Sequence, residues 1–156
     1  MAFHIVLVEP EIPQNTGNIA RTCAATNTVL HLVHPLGFRI DEKAVRRAGL
    51  DYWPFVKLVE HESLSSFLSE YGDRRMFLMT TRGGRSYAEA DFRDGDMLLF
   101  GRETAGLPKE FIRERQDSAL RIPMSENTRL RSLNLSNAVN IVLFEALRQN
   151  GFPELR

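Results

Sequence analysis

The sequence predicts an α/β fold: one domain with a mainly parallel, six-stranded sheet and helices on both faces. Three observations carry this. Short apolar runs alternate with stretches of helical periodicity, the pattern of strand–helix–strand units. The runs are apolar almost without interruption, as strands covered on both faces are. No repeat, low-complexity stretch or linker breaks the 156 residues, a length that suits a single domain with one real core.

Taken in order, the first strand is expected over residues 3–8 and the first helix over 15–26, with Asn15 as its cap. A step of ~100° per residue places Ile19, Ala20, Cys23 and Ala24 on one face of that helix and Asn15, Asn18, Arg21 and Thr22 on the other. Two asparagines are poor mid-helix residues, and the helix follows a strand end, where open α/β sheets bind ligands. The polar face reads either as solvated surface or as the wall of a site. Strands follow over 29–33, 55–59, 76–80, 97–100 and 119–122. Helices are expected over 41–48, over 63–71 (Ser63 as cap, Gly72 as stop) and over 108–115, where Pro108 gives up no helical hydrogen bond. The last helix, 134–149, carries Ala138, Val139, Ile141, Val142, Leu143, Phe144, Ala146 and Leu147 and has almost no polar face. A helix apolar all round is buried all round, and in a domain this small a second subunit is the simplest cover. A homodimer is therefore expected.

Composition narrows the function classes. Twenty Lys+Arg balance twenty Asp+Glu, which argues against a broad electrostatic grip on nucleic acid. Only three of the cations are lysines (Lys43, Lys57, Lys109). Arginine suits bidentate phosphate contacts, although a GC-rich genome gives the same bias. One cysteine, Cys23, excludes an internal disulfide and a multi-cysteine zinc site. No membrane span and no secretion signal are legible, so the cytoplasm is the expected compartment. Dinucleotide, P-loop and nucleophile-elbow signatures are absent. Cys23, on the apolar helix face, reads as a core residue, and the four histidines (His4, His31, His34, His61) as structural or surface groups; no metal site is expected.

Three segments dense in Gly, Asn, Ser and Pro lie beside predicted strand ends. They are Pro13-Gln14-Asn15-Thr16-Gly17-Asn18-Ile19-Ala20-Arg21, then Phe100-Gly101-Arg102-Glu103-Thr104-Ala105-Gly106-Leu107-Pro108, then Ile122-Pro123-Met124 with Ser132-Leu133-Asn134-Leu135-Ser136-Asn137. Each alone is ordinary loop punctuation. Together, in this order, they resemble the three motifs of the SPOUT RNA methyltransferases, in particular the SpoU branch of ribose 2′-O-methyltransferases. Glu9-Pro10-Glu11-Ile12-Pro13, the stretch Arg46-Arg47-Ala48-Gly49-Leu50-Asp51-Tyr52 and the lack of an added RNA-binding domain resemble the minimal subgroup acting on the tRNA wobble nucleotide.

The resemblance implies a C-terminal deep trefoil knot, a homodimer, S-adenosylmethionine as cofactor, and the anticodon stem-loop of tRNA as partner, with nucleotide 34 of leucine tRNAs as the target. By motif position it implies cofactor contacts from Met79, Gly101, Ile122 and Ser132, with Met124 and Leu133 nearby. Arg21 is the first choice for stabilising the reacting ribose oxygen. A guanidinium does not give up its proton in proteins, so a phosphate clamp and electrostatic partner fit it better than a general base. Asn134 and Ser136 are expected to hydrogen-bond the ribose, and Glu103 to orient Arg21 or Asn15. Arg82, Arg85, Arg93, Arg129 and Arg131 are candidate phosphate contacts. The rival readings are the same chemistry on another RNA position, a non-catalytic RNA-binding module, and a structural dimer.

Overall fold

In the computed structural model, which describes residues 2–41, 43, 45, 47 and 52–156, the strands are β1 (His4–Val8), β2 (Val29–Val33), β3 (Lys57–His61), β4 (Met76–Met79), β5 (Arg85–Ser86), β6 (Met97–Phe100) and β7 (Ala119–Arg121). The helices are α1 (Pro13–Ala25), α2 (Leu64–Tyr71), α3 (Lys109–Glu114) and α4 (Leu135–Gln149). The expected helix over 41–48 and the stretch 46–52, apart from Tyr52, fall largely outside the described residues.

All the strand pairings are parallel, in the order β3-β2-β1-β6-β4-β7-β5. Among the described residues the sheet therefore has seven strands, not six. The extra strand, β5, is two residues long and too short to carry a periodic signal; it pairs with β7. Strand alternation sends Ile5 and Leu7 to one face and Val6 and Val8 to the other, and each set joins its own core. On the first face α1 and α4 pack together through Ile19, Ala20, Cys23, Val139, Val142, Leu143, Ala146 and Leu147. On the second lie Phe67 of α2 and Phe111 of α3. Both faces are covered, as the apolar strands require. Cys23 is fully buried, and burial pushes its thiol pKa far up, which suits a core residue.

Several boundaries differ for local reasons. Pro13 opens α1 at its first turn, with Ile12 at the cap and no side-chain cap bond. Asn15 is thus not a cap; it lies inside the first turn and is buried. The third strand starts later than expected because Trp53–Phe55 closes a 3₁₀ turn: Phe55 N–H donates to Tyr52 C=O and Val56 N–H to Trp53 C=O. Ser63 caps α2 by accepting from Ser66 N–H. Asn134 caps α4 instead of opening it, as Pro108 does for α3. In the single chain α4 buries one face only; Phe144 on its outer face is 44% exposed.

Three of the four histidines form a chain across neighbouring strands. His4 Nδ1 and His31 Nε2 are 2.8 Å apart, and His31 Nδ1 and His61 Nε2 are 2.9 Å apart. Phe67 and Tyr71 of α2 meet His31 and His61 edge-on. Burial, then the neighbouring His4, His61 and Arg74, hold His31 down to about 3; burial also lowers His4 and His61, with Asp94 and Glu70 opposing. Each folded-state pKa lies below the unfolded value near 6.5. Below that pH the unfolded chain binds protons that the folded chain refuses, so stability is full above it and falls on acidification toward about 3. The urea midpoint is expected to be level above roughly pH 7 and to drop between roughly pH 6.5 and 5. A midpoint that stays level across that interval contradicts this account of the cluster.

Candidate active site

The strand order sets the site. β6, β4 and β7 lie side by side, so their carboxyl ends and following loops make one wall. The chain changes winding direction between β1 and β6, where open α/β sheets form their crevice. A cavity of about 570 Å³ opens there, within the range of small-molecule sites. Met79, Gly101, Ile122, Met124, Ser132 and Leu133 all line it, and so do Asn15, Glu103 and Asn134. Residues from four separated loops that were selected on motif position alone are thus brought together. Arg21 and Ser136 do not line the cavity.

Its chemistry is mixed. Met79, Ile122, Met124 and Leu133 supply apolar wall, while Asn15, Glu103, Ser132 and Asn134 supply polar groups. An adenosyl-type ligand with a soft sulfur centre and hydroxyl groups suits that combination. At the cavity wall Thr80 N–H is taken up within the sheet edge, donating to Leu120 C=O at 2.9 Å. Gly101 is required by its own loop before any ligand: a Cβ there would fall inside the Gly106–Leu107 peptide. That loop returns on itself through Gly106 N–H to Arg102 C=O, 2.8 Å, with Gly106 at φ +71°. Gly101→Ala is expected to force the loop off the cavity wall and weaken binding of an adenosyl ligand about ten-fold or more, with lower thermal stability. Isothermal titration and a melting curve check both, and parental values in each contradict the reading.

A continuous polar network ties the site together. The Glu103 carboxylate accepts from Glu11 N–H (2.8 Å), Ile12 N–H (2.8 Å) and Asn15 Nδ2 (3.1 Å). It therefore serves the start of α1, where backbone N–H groups have no helical partner and negative charge is favoured. Asn134 Nδ2 donates to Asn15 Oδ1 at 3.1 Å, and Asn134 Oδ1 accepts from Ser136 N–H and Oγ. Of its two expected partners, Glu103 accordingly bonds Asn15 and makes no bond to Arg21. Ser136 is buried and serves Asn134, so the ribose contact expected of it is not supported by its placement. The amides of Asn15 and Asn134 each have a second N–H that these bonds do not use.

The same two loops are clasped from the other side. Arg102 Nη2 donates to Glu9 at 2.7 Å, and Glu11 accepts from Thr104 N–H and Oγ1. Those two donors hold the Glu11 carboxyl below the usual carboxylate range. Glu9, Glu11, Arg102 and Thr104 were not singled out as site residues. Glu-Pro-Glu after a strand was the available signal, but the partner loop lies some ninety residues away.

Arg21 is exposed on α1. Its Nη2 donates to Tyr52 Oη at 3.3 Å, and its guanidinium carbon lies 4.6 Å from the Tyr52 ring centre. Of the other arginines, Arg82 lines the cavity, and Arg131 Nη1 reaches Thr81 C=O at 3.5 Å. Arg85 and Arg93, expected as phosphate contacts with Arg82, do not line the cavity. They line a second cleft with Arg74, Arg75 and Arg115, where Arg93 is paired with Asp91. The stretch following β4 leads away from the cavity through β5, which the six-strand reading left out. Among the described residues no group of three or more His, Cys, Asp or Glu is arranged to hold a metal ion, and no helix is long and apolar enough to cross a membrane.

Comparison with known proteins gives consistent relatives. The model of the SpoU rRNA Methylase family matches residues 2–144. A tRNA (cytidine(34)-2′-O)-methyltransferase of Saccharophagus degradans is 48% identical over 151 residues, which cover 96% of this chain and 97% of the relative. A solved structure described as giving structural insights into the 2-OH methylation of C/U34 on tRNA is 48% identical, with a TM-score of 0.89 over 96% of both chains. An AdoMet-bound rRNA methyltransferase from Sinorhizobium meliloti is 27% identical, with a TM-score of 0.84 over 94% of this chain and 56% of that one.

Proposed function

Since the chain belongs to the SpoU rRNA Methylase family, we propose that it is a tRNA 2′-O-methyltransferase that methylates the ribose of wobble nucleotide 34, cytidine or modified uridine, with S-adenosylmethionine as donor. The observation that carries this is the convergence of the three motif segments on one cavity at the carboxyl ends of β6, β4 and β7. Similarity decides the target. The relative spanning almost the same length is named for nucleotide 34, whereas the rRNA enzyme is much longer than this chain. Leucine tRNAs are the proposed substrates and the anticodon stem-loop the recognised element.

S-adenosylmethionine supplies an electrophilic methyl group on a sulfonium. Met79, Ile122, Met124 and Leu133 would hold its adenosyl part against apolar wall, and the backbone of Gly101 and the side chain of Ser132 would give it direction. The acceptor is a weakly acidic alcohol that must be aligned and stabilised as negative charge develops. Alignment alone is worth roughly 7–11 kcal/mol. Arg21 clamps a neighbouring phosphate and stabilises the developing charge on O2′. Asn15, Glu103 and Asn134 keep the α1 and α4 ends in register, and the spare N–H groups of the two amides face the work of binding ribose.

Three structural features belong to the same proposal. The enzyme works as a homodimer, supported by the exposed Phe144 on the outer face of α4 and by exposed Ile12 and Leu133 near the site. The C-terminal part threads as a deep trefoil knot, supported by a sheet order in which β6 and β7 are each inserted between strands laid down earlier. The cytoplasm, where tRNA is matured, is the proposed compartment.

The test is methyl transfer from labelled S-adenosylmethionine by the purified protein. Label is expected in tRNA taken from cells lacking the gene, and not in tRNA taken from cells that have it. Equal labelling of both pools, or label confined to ribosomal RNA, overturns the proposal.

A further inference from the structure

We propose that Tyr52 is a positioning residue for Arg21, holding its guanidinium in one plane without cancelling its charge. This rests on the role given to Arg21 above. Arg21 sits on the exposed face of α1, two residues before the buried Cys23, so its backbone is fixed while its side chain faces solvent. A free arginine side chain has several rotatable bonds, and ordering it at the moment of binding costs affinity. Tyr52 restrains it twice: the ring lies 4.6 Å from the guanidinium carbon, and the hydroxyl oxygen accepts from Nη2 at 3.3 Å.

The chemistry of the partner is the informative part. Among the described residues no carboxylate pairs with Arg21; the carboxylate of the second motif, Glu103, is engaged by Glu11 N–H, Ile12 N–H and Asn15. A carboxylate would fix the arginine equally well but would neutralise it, and an incoming RNA phosphate would have to displace it. A neutral phenol fixes the cation and leaves its charge for the phosphate. Tyr52 accepts through its oxygen here, so its own O–H remains able to donate to the same phosphate.

Tyr52 is in turn held. Its carbonyl accepts from Phe55 N–H at 2.9 Å, closing the turn Trp53–Phe55, which packs on α1. Trp53 packs against the main core. The phenol is thus carried on a short rigid turn seated on the helix that carries Arg21, which is the arrangement needed to preset one side chain with another.

The experiment is single-turnover methylation of tRNA by the full-length protein carrying Tyr52→Phe or Tyr52→Leu, each alone and combined with Arg21→Ala. Melting temperature and S-adenosylmethionine affinity are measured alongside. Alone, Tyr52→Leu is expected to slow methylation about ten-fold and Tyr52→Phe about three-fold, since the ring contact is kept and only the hydroxyl is lost. Melting temperature and cofactor affinity are expected to stay at the parental values. Combined with Arg21→Ala, neither tyrosine substitution is expected to slow the reaction further. Parental rates for Tyr52→Leu overturn the proposal, as do losses that persist in full beside Arg21→Ala. If Arg21→Ala itself methylates at the parental rate, it is the reading of Arg21 that fails, and that single variant reveals it.

Discussion

Arg21→Ala is expected to reduce methyl transfer at least a hundred-fold while leaving S-adenosylmethionine affinity within about two-fold of the parent, because removing one group that stabilises developing negative charge typically costs 10²–10³ in rate. The separation between the two effects follows from placement. Arg21 is exposed on α1 and is not among the residues lining the cavity, so nothing about the cofactor wall changes when its side chain is removed. Its side-chain hydrogen bond and ring contact are both to Tyr52, and it is exposed, so the fold is expected to tolerate the change. Arg21→Lys is expected to recover little. A lysine carries the charge but has neither the planar fork that meets two phosphate oxygens nor the flat face that lies on the Tyr52 ring. Single-turnover kinetics together with calorimetric cofactor titration check both halves. Weakened cofactor binding with unchanged chemistry contradicts the assignment.

Glu103→Ala is expected to be the most destabilising single change in the site. The carboxylate accepts from two backbone N–H groups at the entry to α1 and from Asn15, and no side-chain cap at Ile12 can replace it. Hydrogen bonds to a charged acceptor are each worth about 1.5–3 kcal/mol, and the site is only half-buried, so a total loss of about 2–4 kcal/mol is expected. In a domain of this size that lowers the melting temperature by roughly 5–15 °C. Glu103→Gln is not a mild alternative. The amide oxygen can replace one carboxylate oxygen, but the NH₂ group then faces a donor that the other oxygen accepted from. Loss of the carboxylate also frees Asn15, and through it Asn134, so methyl transfer is expected to fall with stability. Differential scanning calorimetry of the two variants checks this, and a melting temperature within 2 °C of the parent for Glu103→Ala contradicts it.

Much of this architecture was legible because it is written in local patterns. Continuous apolar runs mark strands buried on both faces, and the chain places them so, with Ile5 and Leu7 in one core and Val6 and Val8 in the other. The six cofactor positions were found by motif, and one cavity gathers them. What was not legible is what depends on distant partners. Asn15 looks like a helix cap, yet Pro13 already starts α1, and the capping work is done by Glu103, 88 residues further on. Gly101 reads as a cofactor contact by motif position, but its own loop already fills the space a side chain would take. His4, His31 and His61 looked like unrelated residues because each comes from a different strand, and only the order β3-β2-β1 makes them a chain. Arg85 and Arg93 looked close to the site until β5 carried the backbone to another cleft.

Zero formal charge excludes a broad electrostatic grip but not recognition of one loop. Arg82 lines the cavity and Arg131 reaches Thr81 at its rim, while Arg21 stands exposed on α1, so local field rather than total charge is what an RNA would meet.

The most direct test of the central claim is mass-spectrometric mapping of ribose methylation in leucine tRNAs from cells with and without this gene. The expected result is a 2′-O-methyl group at nucleotide 34 that is lost when the gene is deleted, restored by the parental chain and not restored by Arg21→Ala. A methyl group at nucleotide 34 that persists in the deletion strain, with the loss appearing at another position, would contradict it.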